Sequence, residues 1–268
     1  TTGAAIGEPL LHPGQVRSAS FSPDGRSLVT VATDMNARVW SLDAGALRFP
    51  PITHEDKRVT VARFSPDGKV IATGSVESTA RLWDAATGAA IGDPMTHEDQ
   101  VLDVRFSPRG DLLATGSIDG TARLWDARSG APLGEPITTD GLGHNVAFSP
   151  DARTLLTSGI GDTAQLWDVR TREQIGRTLT HDAGIESARF SPDGRLVLTA
   201  SSDGSARLWD AATGESLMEA MWLRYLRANV RGCLPRDARV EHLGVTSEQA
   251  AADFAACEAR QTDAGAPP

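Results

Sequence analysis

The stretch Ser117–Asp126, SIDGTARLWD, admits two readings. Asp119-Gly120 marks a tight hairpin turn, and Thr121–Asp126 is the strand that leaves it. Its Ser, Asp and Arg are also residue types that carry chemistry. Recurrence decides between the two. TDMNARVWS occupies 33–41, SVESTARLWD 75–84, GIGDTAQLWD 159–168 and SSDGSARLWD 201–210. The tryptophans Trp40, Trp83, Trp125, Trp167 and Trp209 stand 43, 42, 42 and 42 residues apart. A second marker keeps the same period: FSPDG begins at Phe21, Phe64 and Phe190, with FSPRG at Phe106 and FSPDA at Phe148. Two independent markers on one period define an internal repeat.

Residues 97–138 are the cleanest unit. Val101–Ser107 reads as a strand, Pro108-Arg109-Gly110 as a turn, and Leu112–Ser117 as a second strand. After the Asp119-Gly120 hairpin, Thr121–Asp126 makes a third strand and Ala131–Thr138 a fourth. Pro132 and Pro136 remove ladder donors from the fourth, so it belongs at an edge. Four short strands on a period of about 40–45 residues are the pattern of propeller blades. A sheet this small cannot bury both faces alone, so neighbours must stack on it. The fold class expected is an all-β propeller of five four-stranded blades with a small helical extension.

Of the 268 residues, 40% are hydrophobic and 23% charged, the balance of an ordinary globular domain. The net charge of −9 argues against a phosphate-binding surface, so no nucleic-acid partner is expected. No apolar stretch nears the roughly 18 residues that cross a bilayer, and no membrane partner is expected. Cys233 and Cys257 lie outside the repeats, which therefore have no disulfide framework.

The recurring residues resemble the WD-repeat family of β-propellers, bacterial type, over residues 1 to about 215. The resemblance implies a hydrogen-bonded tetrad per blade: a His before the first strand, a Thr or Ser in the second, an Asp in the second hairpin, then the Trp. Position by position, it places His12, Thr30, Asp34 and Trp40 in the first repeat, His97, Thr115, Asp119 and Trp125 in the third, and His181, Thr199, Asp203 and Trp209 in the fifth. The second has His54, Thr73 and Trp83, with Glu77 in place of Asp. The fourth departs most: Thr157 and Trp167 remain, but Thr139 stands where His is expected and Gly161 where Asp is expected. Chained together, these groups satisfy one another between blades. A set that recurs at fixed period with a Trp attached is structural, whereas a hydrolase triad occurs once around one exposed nucleophile.

The expected boundaries are 1–215 for the propeller and 216–268 for the extension. Within the propeller the repeats are 12–53, 54–96, 97–138, 139–180 and 181–215, with 1–11 as an outer strand matching 86–97. That strand either completes the fifth blade, closing a five-bladed ring, or belongs to an arc cut from a larger propeller. Thr1-Thr2-Gly3 looks like the end of a Trp-Asp-x-x-Thr-Gly turn and favours the arc, the C-terminal part of a longer protein. In the extension, Met218, Met221, Trp222, Tyr225, Leu226 and Val230 fall at helical spacing. Thr246 and Gln249 fit a capping box. Reduced thiols are expected at Cys233 and Cys257 in a cytoplasmic protein.

The function expected is a non-catalytic protein-interaction scaffold, the sensor or regulatory part of a longer signalling protein. Its partner would be another protein or an effector domain of the same chain. Four residues before each FSP-box Phe the chemistry changes in every repeat, as Arg17, Thr60, Leu102, His144 and Glu186, and this row is the candidate partner-binding face. The alternative is a small-ligand or enzymatic propeller using Asp103, His144 and Asn145 in its channel. The sequence offers no metal-spaced cluster, phosphate loop or nucleophile elbow, so no cofactor, metal or small molecule is expected.

Overall fold

Each repeat folds as an antiparallel sheet because its apolar residues alternate between two buried faces and its turns are built from side chains that hold them. The computed structural model describes residues 7–54, 58–140 and 142–217. The chain divides into two units, 1–214 and 215–268, and every described strand lies in the first. The helical extension expected beyond Leu217, with both cysteines, lies outside the described residues, as does the start of the expected outer strand.

The first sheet runs β1 (Val16–Phe21), β2 (Ser27–Ala32), β3 (Ala37–Ser41) and β4 (Ala46–Leu47). The second is β5 (Val59–Phe64), β6 (Val70–Ser75), β7 (Thr79–Asp84) and β8 (Ala90–Thr96). The third is β9 (Val101–Phe106), β10 (Leu112–Ser117), β11 (Thr121–Asp126) and β12 (Ile137–Thr138). The fourth is β13 (Leu142–Phe148), β14 (Thr154–Ile160), β15 (Thr163–Asp168) and β16 (Gln174–Thr180). The fifth has three strands among the described residues: β17 (Ile185–Phe190), β18 (Leu196–Ser201) and β19 (Ala206–Asp210). Residues 7–11, the described part of the expected outer strand, carry no strand.

Proline content accounts for the outer strands. β16 has no proline and runs seven residues, pairing with β15 on both sides of one register shift. β8 has one, Pro94, placed inside the register shift between its pairings at Ile91 and Met95. The third repeat has two, and its expected strand over 131–138 shrinks to β12 plus a single bridge between Trp125 and Pro132.

The first turn is built the same way in most repeats. Ser22 Oγ donates to Asp24 (2.5 Å) and accepts from Ser27 N (2.8 Å), and Gly25 takes a positive φ. In the third repeat Arg109 displaces the aspartate, and Asp111 supplies the carboxylate to Ser107 Oγ at 2.7 Å. In the fourth, Ala152 occupies the glycine position at φ 62°, a conformation that costs an L-residue roughly 1–2 kcal/mol.

Consecutive sheets stack face to face through repeated positions. Val29, Val31 and Val39 of the first sheet pack on Val59, Ala62 and Ile71 of the second, with Phe64 at the margin. Equivalent clusters join the second to the third, the third to the fourth and the fourth to the fifth. Among the described residues the two terminal faces lack such a cluster: Phe21 is 66% exposed on the first sheet, and Leu198 and Leu208 are 46% and 40% exposed on the fifth. Close backbone approach also joins sheets. Arg177 N donates to Thr213 O (3.0 Å), and a Cβ on Gly176 would lie 2.3 Å from that oxygen.

Gly176→Ala therefore forces the fourth and fifth sheets apart, whereas Gly25→Ala, at similar φ with nothing within 4 Å, adds conformational strain alone. Urea unfolding is expected to show a loss of about 1–2 kcal/mol for Gly25→Ala and a clearly larger one for Gly176→Ala.

Candidate functional site

Two sets of residues recur from sheet to sheet: the buried polar chains within the sheets and the irregular residues of each sheet's first strand. In the third repeat the chain is complete. Trp125 Nε1–H donates to Thr115 Oγ1 (2.9 Å), Thr115 donates to His97 Nε2 (2.7 Å), and His97 Nδ1–H donates to Asp119 Oδ2 (2.9 Å). The direction follows from the two ends: the indole can only donate, and the carboxylate can only accept, which puts the proton of the neutral imidazole on Nδ1 and leaves Nε2 to accept from the threonine. The fifth repeat matches it through Trp209, Thr199, His181 and Asp203, at 2.8, 2.7 and 2.9 Å. Thr115 and Thr199 are wholly buried, with both hydroxyl roles used, which is the opposite of an exposed nucleophile.

Two carboxylates depart from the expected tetrad. Trp40 and His12 both bond Thr30, at 2.9 and 2.7 Å, but His12 Nδ1 donates to Leu10 O rather than to Asp34. Asp34 is taken by the planar fork of Arg38, at 3.0 and 2.5 Å, a bidentate charged pair stronger than a bond to neutral imidazole. In the second repeat Trp83 and His54 bond Thr73, at 2.8 and 2.7 Å. His54 Nδ1 meets Thr79 Oγ1 (3.0 Å), while Glu77, one methylene longer, lies 3.6 Å from Arg58 at the surface.

The fourth sheet keeps Trp167 Nε1–H on Thr157 (2.9 Å) and builds the remainder differently. Thr139 Oγ1 donates to Gly120 O (3.0 Å). Gln165, standing where the other repeats have arginine, accepts from Asp140 N (3.0 Å) and donates to Asp140 Oδ2 (2.9 Å). The buried Ser158 hydroxyl finds no partner in the described structure, a local cost the other sheets avoid by carrying Val31, Gly74, Gly116 or Ala200 there.

Titration follows burial. Desolvation depresses His54 to about 4, with Arg81 adding to the effect. Desolvation also lowers His97, against the opposing pull of Asp119. Burial alone would raise Asp119, but bonds from Thr121, Glu98 N and His97 outweigh it and hold the carboxyl at about 2. Asp34 also lies at about 2, principally through Arg38. His54 and His97 are therefore neutral structural links.

The aspartate that follows four of the five repeat tryptophans was read in the sequence as part of a Trp-Asp-x-x-Thr-Gly turn, without its bonds. Asp126 Oδ1 accepts from Arg128 N, Ser129 N and Ser129 Oγ, at 3.1, 2.9 and 2.8 Å. Asp84 with Thr87, Asp168 with Thr171 and Asp210 with Thr213 close the same turn. The spacing Asp-x-x-Thr/Ser-Gly is the signature of an Asx turn and was present in the sequence.

The candidate row of the first strands has a shared backbone origin. In each of β1, β5, β9, β13 and β17 the register skips one residue, and the skipped residues are Arg17, Thr60, Leu102, His144 and Glu186. A β-bulge leaves its extra residue unpaired and re-aims its side chain. Arg17 is exposed, Leu102 half-buried, and Glu186 exposed with an acceptor bond from Ser202 Oγ (2.5 Å). Thr60 is already engaged between sheets, donating to Val101 O at 2.6 Å.

Stacked antiparallel sheets with repeated buried Trp–Thr–His chains define a β-propeller-type repeat protein. The chain belongs to the WD40 family: the model for the WD domain, G-beta repeat, matches residues 10–41, 49–84, 93–126 and 173–210. Those segments cover most of the first, second, third and fifth sheets and miss most of the fourth, where the His and the hairpin Asp are replaced. No curated protein matches the chain.

Thr115→Val strands two buried groups, the Trp125 indole and His97 Nε2, whereas Thr157→Val strands only the Trp167 indole. Chemical denaturation is expected to give a loss of about 1–3 kcal/mol for each group left unpaired, and so a larger loss for Thr115→Val. His54 ties acid to stability as well. Its folded pKa lies below the unfolded value, so the stability it contributes is complete above pH 6.5 and is lost as the pH falls towards about 4. Unfolding free energies measured from pH 7 to 4 are expected to fall by roughly 3 kcal/mol from this group, and His54→Gln is expected to remove that part of the slope.

Proposed function

We propose that this WD40 array is a non-catalytic protein-interaction scaffold, the sensor or regulatory part of a longer bacterial signalling protein acting in the cytoplasm. Its partner is another protein or an effector domain of the same chain. One observation carries the reading. The polar groups that could serve chemistry are consumed inside the sheets, while a single bulge repeated in the first strand of all five sheets falls on Arg17, Thr60, Leu102, His144 and Glu186, five different residue types on one backbone geometry, with Arg17 and Glu186 exposed. A rigid frame with a varied rim suits recognition rather than turnover.

The same reading takes the five sheets as an arc of a longer repeat series and not as a closed five-bladed ring. Phe21, Leu198 and Leu208 support it, because Val29 and Val39, the first-sheet equivalents of the latter two, are each 1% exposed under the next sheet.

The charge-reversed pair Arg17→Glu and Glu186→Arg tests the rim, since both side chains are exposed and outside the stacking core. Affinity purification with wild-type protein identifies the partner. The double variant is expected to melt at the wild-type temperature and to lose that partner's retention. Retention unchanged at equal melting temperature removes the bulge row from the binding face.

A further inference from the structure

Five of the seven large apolar side chains exposed among the described residues lie at the two ends of the stack. Val16, Phe21 and Leu42 belong to the first sheet and Leu198 and Leu208 to the fifth; Leu11 and Leu47 are the other two. Exposed apolar groups gathered in this way mark an interaction surface, whereas scattered ones do not.

The repeat itself shows what covers these positions. Val59, Phe64 and Ala85, the second-sheet equivalents of Val16, Phe21 and Leu42, pack on the first sheet. Val101, Phe106 and Ala127 of the third sheet pack on the second in the same way. Val59 and Val101 are 0% exposed in those joints, against 43% for Val16. At the other end, Leu156 and Leu166, the fourth-sheet equivalents of Leu198 and Leu208, are buried under the fifth sheet.

The two ends are thus the two halves of one joint, which the chain makes four times internally. Each joint sets the face that carries the FSP-box Phe against a different face of the sheet before it, so neither end matches its own like. With all five sheets in place Phe21 and Leu198 both stay exposed, so the stack does not bring its own ends together.

We infer that a second copy of this chain docks head to tail, its first sheet on the fifth sheet of the copy before. The new joint continues the four internal ones and buries both exposed faces at once. The inference rests on the open arc proposed above and is independent of the bulge row.

Connectivity completes the fit. In the second and fourth sheets the outer strand is the segment that leads into the next sheet. It sets Met95 opposite Ala80 and Leu179 opposite Ala164, and both alanines are buried. The fifth sheet ends at β19 among the described residues, and Ala206, the equivalent alanine, is exposed. Residues 7–11 lead into β1 without forming a strand. Leu10 stands two residues before His12, as Met95 and Leu179 stand before His97 and His181. Docking therefore carries Leu10 of one copy to Ala206 of the copy before. A joint of this kind is heterologous, and it propagates into a ring or a filament.

Sedimentation of the 268-residue chain is expected to show a mass that rises with concentration above the 28.3 kDa of one copy. Phe21→Glu blocks the head, and Leu198→Glu with Leu208→Glu blocks the tail. All three side chains are exposed in a single copy, so both variants are expected to melt at the temperature of dilute wild type. Each variant alone is expected to lose at least about tenfold in self-association, because docking buries a carboxylate without a partner. Mixed, the two are expected to form one-to-one pairs that grow no further, since one keeps a sound tail and the other a sound head. A wild-type monomer whose variants melt unchanged overturns the inference and leaves the arc standing. A wild-type monomer whose variants melt far lower is a chain closed on itself, and overturns both. Association that either variant leaves unchanged, or a mixture that fails to pair, overturns the head-to-tail joint.

Discussion

The structure depends on a threonine hydroxyl buried in the second strand of each sheet. It is the one group that both accepts the tryptophan N–H and, where the imidazole is present, donates to it, so it joins the third strand to the segment preceding the first. Without it, an indole and an imidazole would be buried with unmet hydrogen bonds between sheets, at a cost of about 1–3 kcal/mol for each group. All five sheets retain this threonine and its tryptophan, including the fourth, which has replaced both other members. The histidine and the carboxylate are accessories by comparison: four sheets use the first and two use the second.

That hierarchy explains how the repeats tolerate change. Where the carboxylate leaves, another acceptor within reach serves Nδ1, a carbonyl in the first repeat and a hydroxyl in the second. Where the histidine leaves, a glutamine–aspartate pair and a threonine bonded to the neighbouring sheet tie down the same entry segment. The fourth sheet also holds the unpaired Ser158 hydroxyl and the positive-φ Ala152, so the local departures from the repeat accumulate in one place.

Most of the fold was legible in the sequence because it is written five times. A strand, turn or tryptophan that recurs in register cannot be a chance of local propensity, and boundaries such as Leu112–Ser117 and Thr121–Asp126 followed from repetition alone. What repetition could not supply was competition between near neighbours. Asp34 sits in register, but its fate depends on Arg38 four residues on. Glu77 sits in register too, but Thr79 is closer to the imidazole. The outer strands were over-read for a related reason: a repeated segment keeps its path even where two prolines leave it few pairings, as over 131–138. The bulge shared by the candidate row was visible only as variation, since the extra residue has no fixed identity by which to recognise it.

Because each sheet offers one face forward and a different face back, the stack has a direction, with Phe21 at one end and Leu198 and Leu208 at the other. Such a unit carries its own adhesive. A copy of the genetic segment inserted in frame arrives with both halves of the joint already matched to its neighbours, so the array can grow or shrink by whole sheets while the surviving joints remain as they were. Number becomes an easily altered trait.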